Sequence, residues 1–257
     1  MKKILAFLLV FCFAKNSWAF RVEHDFDVFI GSFNASRTAF SYSILKDEYA
    51  VSSDVKTYGF FDTLYPFEAI YSTTGKIKKS GLQTSNYKYS SKSRFNKRTK
   101  ELVYDDKGNP IYRLSSKNDK QKKTVVDQTK NEKGTTDLHT VIAELVLQYN
   151  KVRFCDSRME VFDGKRRYDV VFKDEGKEIL SKNKYSPFEG LATKCSMYID
   201  SLGQVGDDLL WEMSSDRPVN FWIMEGENKR PFIARITIDS TPYGALKVYT
   251  RKLKIEE

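Results

Sequence analysis

The chain has 257 residues, with 43 Lys and Arg against 34 Asp and Glu, two His and three Cys. A net charge of +9 invites nucleic acid, but an export signal at the start of the chain conflicts with an intracellular nucleic-acid role. His24 and His139 are too few for a catalytic zinc site built on several imidazoles, and no metal or other cofactor is expected.

The export signal is read from three features in order. Lys2 and Lys3 precede an apolar run from Ile4 to Ala14, and Ser17 and Ala19 are the small residues that signal peptidase reads before its cut. The run is shorter than the roughly 20 apolar residues that span a bilayer, and no later run reaches that length. Cys12 follows Val10-Phe11, not the small residues that precede a lipidated Cys. Residues 1–19 are therefore expected to be a signal peptide cut after Ala19. Residues 20–257 are then one β-rich periplasmic domain with no transmembrane segment, carrying a net +6 once Lys2, Lys3 and Lys15 are gone.

Short alternating runs begin at Phe26. From Thr38 to Leu45, Phe40, Tyr42 and Ile44 share one face, the period-two pattern of a half-buried strand. Tyr49 to Tyr58, Phe67 to Tyr71, Tyr87 to Tyr89, Leu102 to Tyr104 and Ile111 to Leu114 repeat it, with hairpin chemistry at Asp105–Asn109. Residues 115–134 are lysine-rich with little to pack, and predict a mobile surface loop. Thr136 or Asp137 then caps a helix whose Leu138, Val141, Ile142, Leu145 and Tyr149 form an apolar stripe. Strands resume at Met159–Phe162 and Arg167–Phe172 around the turn Asp163-Gly164-Lys165, and continue at Cys195–Ile199, Val219–Met224, Phe232–Asp239 and Ala245–Lys254. About ten strands with one amphipathic helix predict a mainly β fold. Its form is a strongly curved antiparallel sheet or open β-barrel with the helix on its concave face.

Several of these segments together resemble a known family. The helix opening Thr136-Asp137-Leu138, the hairpin Val161 to Tyr168, the single Cys195 after it and the closing Ser215 to Val219 form one part. Phe26 to Ile30 with Gly31, then Ala35 to Tyr42, form the other. The pattern resembles the bacterial envelope family known as domain of unknown function 3108, over nearly all of the chain after the signal. It departs in having Asn34-Ala35-Ser36 where a second Gly is usual, and in its longer lysine-rich loop. The resemblance implies an exported, mostly β protein without assigned activity, similar at the level of fold to periplasmic carriers of lipoproteins.

Cys155 and Cys195, the cysteines that remain after the signal, are expected to form a disulfide in an oxidising compartment. No Gly-x-Ser-x-Gly, phosphate loop or dinucleotide fingerprint is present, and no catalytic residue is assigned. Asp25 and Asp27 share a strand face and, with His139, are the candidates for a hydrolase reading; His24 beside them reads as part of a solvated edge. Asp163 to Arg167 reads as a turn in preference to a phosphate clamp, because Lys165 and Arg167 point away from Arg166 on a strand. The lysine runs of the N-terminal half suit solvated loops or an anionic envelope surface. Thirty-six aromatic residues suit a core or a cavity. The three-turn stripe of the helix is too small to fill the expected concavity, so a pocket for a lipid or other amphiphile is expected beside it. Phe40, Tyr42, Phe60, Phe61, Leu138, Ile142, Phe221 and Trp222 are the candidate lining residues. A non-enzymatic binder is favoured over a ligand-free envelope scaffold, and both over a hydrolase.

Overall fold

The computed structural model describes residues 19–127, 134–201, 218–226, 229–239, 241 and 244–256. Most of the expected signal peptide and residues 128–133 of the expected loop lie outside them. Eight strands precede the main helix: β1 (Ala19–Ile30), β2 (Phe33–Leu45), β3 (Glu48–Thr57), β4 (Phe67–Lys78), β5 (Gly81–Ser93), β6 (Lys97–Tyr104), β7 (Pro110–Lys117) and β8 (Lys120–Val125). A short helix, α1 (Phe60–Leu64), joins β3 to β4. After α2 (Leu138–Val152) come β9 (Ser157–Phe162), β10 (Arg167–Leu180), β11 (Gly190–Ser201), β12 (Val219–Glu225), β13 (Pro231–Ile238) and β14 (Leu246–Glu256).

All fourteen strands form one antiparallel sheet in the order β8-β7-β6-β5-β4-β3-β2-β1-β14-β13-β12-β11-β10-β9, which is not closed. Each half of the chain is a meander, the first running outward from the middle and the second inward from the far edge to the middle, where the first and last strands pair from Arg21↔Glu256 to Ile30↔Leu246. Among the described residues there are fourteen strands where the alternation predicts about ten, and the helix α1 falls where the sequence predicts none. The expected loop is also corrected. Its first part, residues 115–125, completes β7 and forms β8, paired from Lys117↔Lys120 to Tyr112↔Val125. Alternation explains this: Ser, Lys and Thr suit an edge strand with no apolar face to bury.

One face of several strands meets α2. Val22, Tyr42, Ile44, Tyr49 and Val51 of β1–β3 are buried in a single core with Val170, Phe172, Met197, Phe221 and Ile223 of β10–β12. Val141, Leu145, Val146 and Tyr149 of α2 are buried in that same core. The helix thus shares one core with strands far apart in the sheet order. The Tyr49 (β3) hydroxyl lies 2.7 Å from the Thr140 hydroxyl, and Tyr149 bonds Thr193 of β11 at 2.6 Å. Gly75 makes the first of these possible, since a Cβ there would meet the Tyr49 ring at 2.4 Å.

The two ends of the sheet meet through side chains. Arg113 of β7 donates to the Gly164 carbonyl at 2.7 Å, and Lys100 of β6 donates to that of Asp163 at 3.2 Å. Leu102, Tyr104, Val126 and Phe162 bury one another beneath this seam. The turn between β9 and β10 is the expected one: Asp163 accepts from the backbone N–H groups of Lys165 and Arg166, and Gly164 has φ 87°. Cys155, just after α2, is bonded to Cys195 of β11, with Cα atoms 6.0 Å apart and both residues fully buried.

Candidate functional site

A cavity of about 330 Å³ lies between the first turns of α2 and the sheet. It exists because the helix stripe is uneven. Val141, Leu145 and Tyr149 fill the core, whereas Leu138 and Ile142 remain partly exposed over the open space. Phe26, Thr38, Phe40 and Ser53 of β1–β3 line one wall. Met197, Val219, Phe221 and Ile236 of β11–β13 are among the residues of the other. The wall is apolar apart from Thr38, Ser53 and His139.

Those polar groups gather at one place. His139 Nε2 lies 3.0 Å from the Ser53 hydroxyl, and among the described residues its buried Nδ1 has no hydrogen-bond partner. The rings of Phe40, Tyr71 and Tyr87 stand 6.3, 5.6 and 6.3 Å away. Burial pushes the His139 pKa below its ordinary value, opposed by the charge of Asp137. The cavity therefore offers a hydrogen bond from a neutral imidazole in an otherwise oily wall.

Asp137 fixes the helix over this space. Its Oδ1 accepts from the backbone N–H groups of His139 (3.0 Å) and Thr140 (3.2 Å) and from the Thr73 hydroxyl (2.8 Å). Its Oδ2 accepts from the hydroxyls of Thr84 (2.9 Å) and Thr140 (2.6 Å). A helix cap is thereby joined to β4 and β5, and the residue is only 3% exposed. Of the two caps the sequence offers, Thr136 and Asp137, the structure uses Asp137. The sequence carried no sign that Thr73 and Thr84 would be its partners, since isolated strand threonines look alike.

Of the eight candidate lining residues, Phe40, Leu138, Ile142 and Phe221 line the cavity. Tyr42 is buried in the core beside it without lining it. Phe60 and Phe61 do not reach it: they sit on α1, where Phe60 is 64% exposed. Trp222 is corrected too. It follows Phe221 on β12, so it faces the opposite side of the sheet, packing with Leu180, Met224 and Phe232 and donating from Nε1 to Glu178 at 3.1 Å. Ser53, Phe26, Met197 and Ile236 were missed; period-two alternation marks them as buried, but pairing alone shows that they meet.

The hydrolase candidates do not converge. Asp25 is 3.2 Å from Arg251, and Asp27 is 3.2 Å from Arg37 and 3.8 Å from Arg251. They share a face, as expected, but it is opposite the one carrying His24 and Phe26. His24 is not part of a solvated edge. It is 2% exposed, with its ring stacked 5.2 Å from that of Phe26.

Burial lowers the His24 pKa from 6.5 to about 3. Below pH 6.5 the unfolded chain therefore binds a proton that the folded chain refuses until about pH 3. Stability falls as pH drops through that window and is unaffected by this group above it, by up to about 1.4 kcal/mol per pH unit, or about 2 kcal/mol at pH 5. His24→Phe, which keeps an aromatic ring beside Phe26, should flatten the urea-measured stability profile between pH 6.5 and 5 by about that amount. An unchanged profile would place the acid sensitivity elsewhere.

Comparison with curated proteins gives no match. Among solved structures, a β-barrel-like protein of domain of unknown function DUF1849 from Brucella abortus is similar in fold. Its TM-score is 0.50 at 10% identity, over 93% of this chain and 98% of that one. A family model described as "Protein of unknown function (DUF3108)" matches residues 25–249. That span runs from β1 to β14 and takes in the capped helix, both cysteines and the seam hairpin, and the chain belongs to the DUF3108 family.

Proposed function

We propose that this is a periplasmic protein, exported by a signal peptide cut after Ala19, that holds an apolar or amphiphilic envelope ligand without transforming it. The α2 helix sits on the concave face of the curved sheet, and the ligand lies where the first turns of the helix leave that face uncovered. The observation that carries this reading is the 330 Å³ apolar cavity between Ile142, Phe40, Phe221 and Ile236. Its size is at the lower end of the roughly 300–1,000 Å³ of small-molecule pockets. Ser53, Thr38 and His139 are the polar interruptions of an oily wall, and the neutral imidazole adds no charge to the chain site. The acidic residues that a hydrolase would need are held by Arg37 and Arg251 on the other face.

The direct experiment is native mass spectrometry of protein purified from periplasm, where a bound lipid should accompany the polypeptide. Ile142→Trp, placing an indole into the cavity from the helix, should weaken binding of 1-palmitoylglycerol by about tenfold or more, about 1.4 kcal/mol. Protein that arrives empty and takes up no 1-palmitoylglycerol, or a folded Trp variant that binds it as well as the parent, would defeat the proposal.

A further inference from the structure

The face of the sheet that meets α2 does not end at the cavity. Hydrogen-bonded register carries it, strand by strand, into the N-terminal edge. One row runs Phe40, Ser53, Tyr71, Tyr89, Lys100, Ser115, Lys122. The next runs Thr38, Val55, Ala69, Ser91, Arg98, Lys117, Lys120. Each row begins at residues lining the cavity and ends in cations.

The cationic end is unusual as sheet chemistry. Arg98, Lys117 and Lys120 are direct neighbours on three adjacent strands, and like charges placed opposite one another destabilise a sheet. On this face β6, β7 and β8 present Arg98, Lys100, Arg113, Lys117, Lys120 and Lys122, and no Asp or Glu. Lys100 and Arg113 are held at the seam by backbone carbonyls. The nearby Asp163 carboxylate is engaged by Arg166 at 2.8 Å. Arg98, Lys117, Lys120 and Lys122 are exposed, and among the described residues none has a carboxylate at ion-pair distance. On the opposite face of the same strands the charges are mixed, as with Lys88 and Glu101 at 3.4 Å. The opposite face also opposes Lys92 to Lys97, but there Glu68 stands beside Lys92 in the same row, whereas the row of three cations has no acidic neighbour on these strands, which is what a multiply charged anion would require.

Between cavity and cations lies a floor of intermediate character. Tyr71 and Tyr89 are half-buried with ring centroids 4.8 Å apart, and the Tyr89 hydroxyl donates to Ser91 at 2.7 Å. From Ser53 on β3 to the strands that carry Arg98, Lys117 and Lys120 is three to five strand spacings, about 14–24 Å along the sheet, and the long basic side chains shorten the gap from the far side.

We propose that the ligand is an anionic amphiphile, its chain in the cavity beside α2 and its phosphate on Arg98, Lys117 and Lys120. This rests on the reading of the cavity as a lipid site, and adds to it the charge and length of the ligand. The ligand must be long, because its head has to cross the tyrosine floor to reach the cations.

The test compares three probes below their micelle concentrations at low salt. They are 1-palmitoylglycerol 3-phosphate, its uncharged counterpart 1-palmitoylglycerol, and glycerol 3-phosphate without a chain. The parent should bind the phosphorylated lipid about tenfold or more tighter than the neutral one, with an advantage that shrinks as salt is added. Glycerol 3-phosphate should bind far more weakly than either lipid. The variant R98Q/K117Q/K120Q should lose the phosphate advantage and keep neutral-lipid binding. K56Q/K92Q/K97Q, which removes equal charge from the opposite face, should keep both. The test positions are exposed, and removing the repulsive row should not lower the melting temperature, which is checked first. Equal affinity for the two lipids in the parent, or a phosphate advantage surviving in R98Q/K117Q/K120Q, would overturn the head site and leave the cavity reading intact. Binding of neither lipid would overturn the cavity reading itself. A phosphate advantage that persists in Ile142→Trp after neutral-lipid binding is lost would overturn the joint ligand, leaving a separate anion site.

Discussion

Asp137→Ala should lower the free energy of unfolding by about 3–5 kcal/mol, which ranks it with the most damaging single substitutions in the chain. The cap alone is worth about 1 kcal/mol. The larger share comes from the hydroxyls of Thr73, Thr84 and Thr140, each no more than 2% exposed and each donating to this one carboxylate. A buried donor left without an acceptor costs about 1–3 kcal/mol, and rearrangement among the three with Tyr49 recovers part of the sum. Asp137→Asn keeps an oxygen for the helix N–H groups and should cost roughly half as much. Urea denaturation at neutral pH measures both. A loss below 1 kcal/mol for the alanine variant would show that the threonines find other partners, and that the helix is held by its apolar stripe alone.

Loss of the Cys155–Cys195 bond should have an effect of similar size by a different route. The bond closes a separation of 40 residues, and restricting the unfolded chain over that span is worth about 4 kcal/mol in the chain-entropy account. For a chain of this length that corresponds to a fall of roughly 8–16 °C in melting temperature. Both cysteines are fully buried, so reductant will act slowly on the native protein and the double variant Cys155→Ala/Cys195→Ala is the better comparison. Scanning calorimetry should show the drop. Two thiols that alkylate in the native, unreduced protein would remove the bond from the account altogether.

What the sequence made legible is local. Alternation put Phe40, Tyr42 and Ile44 on one face, and all three touch the core that α2 enters. The Asp137 cap, the turn at Gly164 and the cysteine pair follow from side-chain chemistry within a few residues or from a count of two. The errors arise where contact depends on which strands pair. The aromatic pair Phe221 and Trp222 predicts two lining residues, but neighbours on a strand cannot share a face, and only Phe221 lines the cavity. Phe60 and Phe61 look like core material, but a five-residue helix between β3 and β4 holds them at the surface. His24 looks exposed beside Asp25, yet the pairing of β1 with both β2 and β14 buries it. The cationic row is the clearest case. Arg98, Lys117 and Lys120 are spread over 23 residues of sequence and become one patch only through two hairpin registers.

The meeting of β1 with β14 at the middle of the sheet also governs how the chain can reach this state. Either meander can assemble from neighbouring strands, quickly where the connection is short, as between β1 and β2, and more slowly across residues 202–218 between β11 and β12. Joining the halves requires closing nearly the whole chain, so this step carries the largest loop-closure entropy and comes late. Until it happens each half exposes, at β1 or β14, a complete strand edge that fits the other half. A second copy of the chain presents the same edge, so crowding during folding favours intertwined dimers in which each β14 completes its neighbour's sheet.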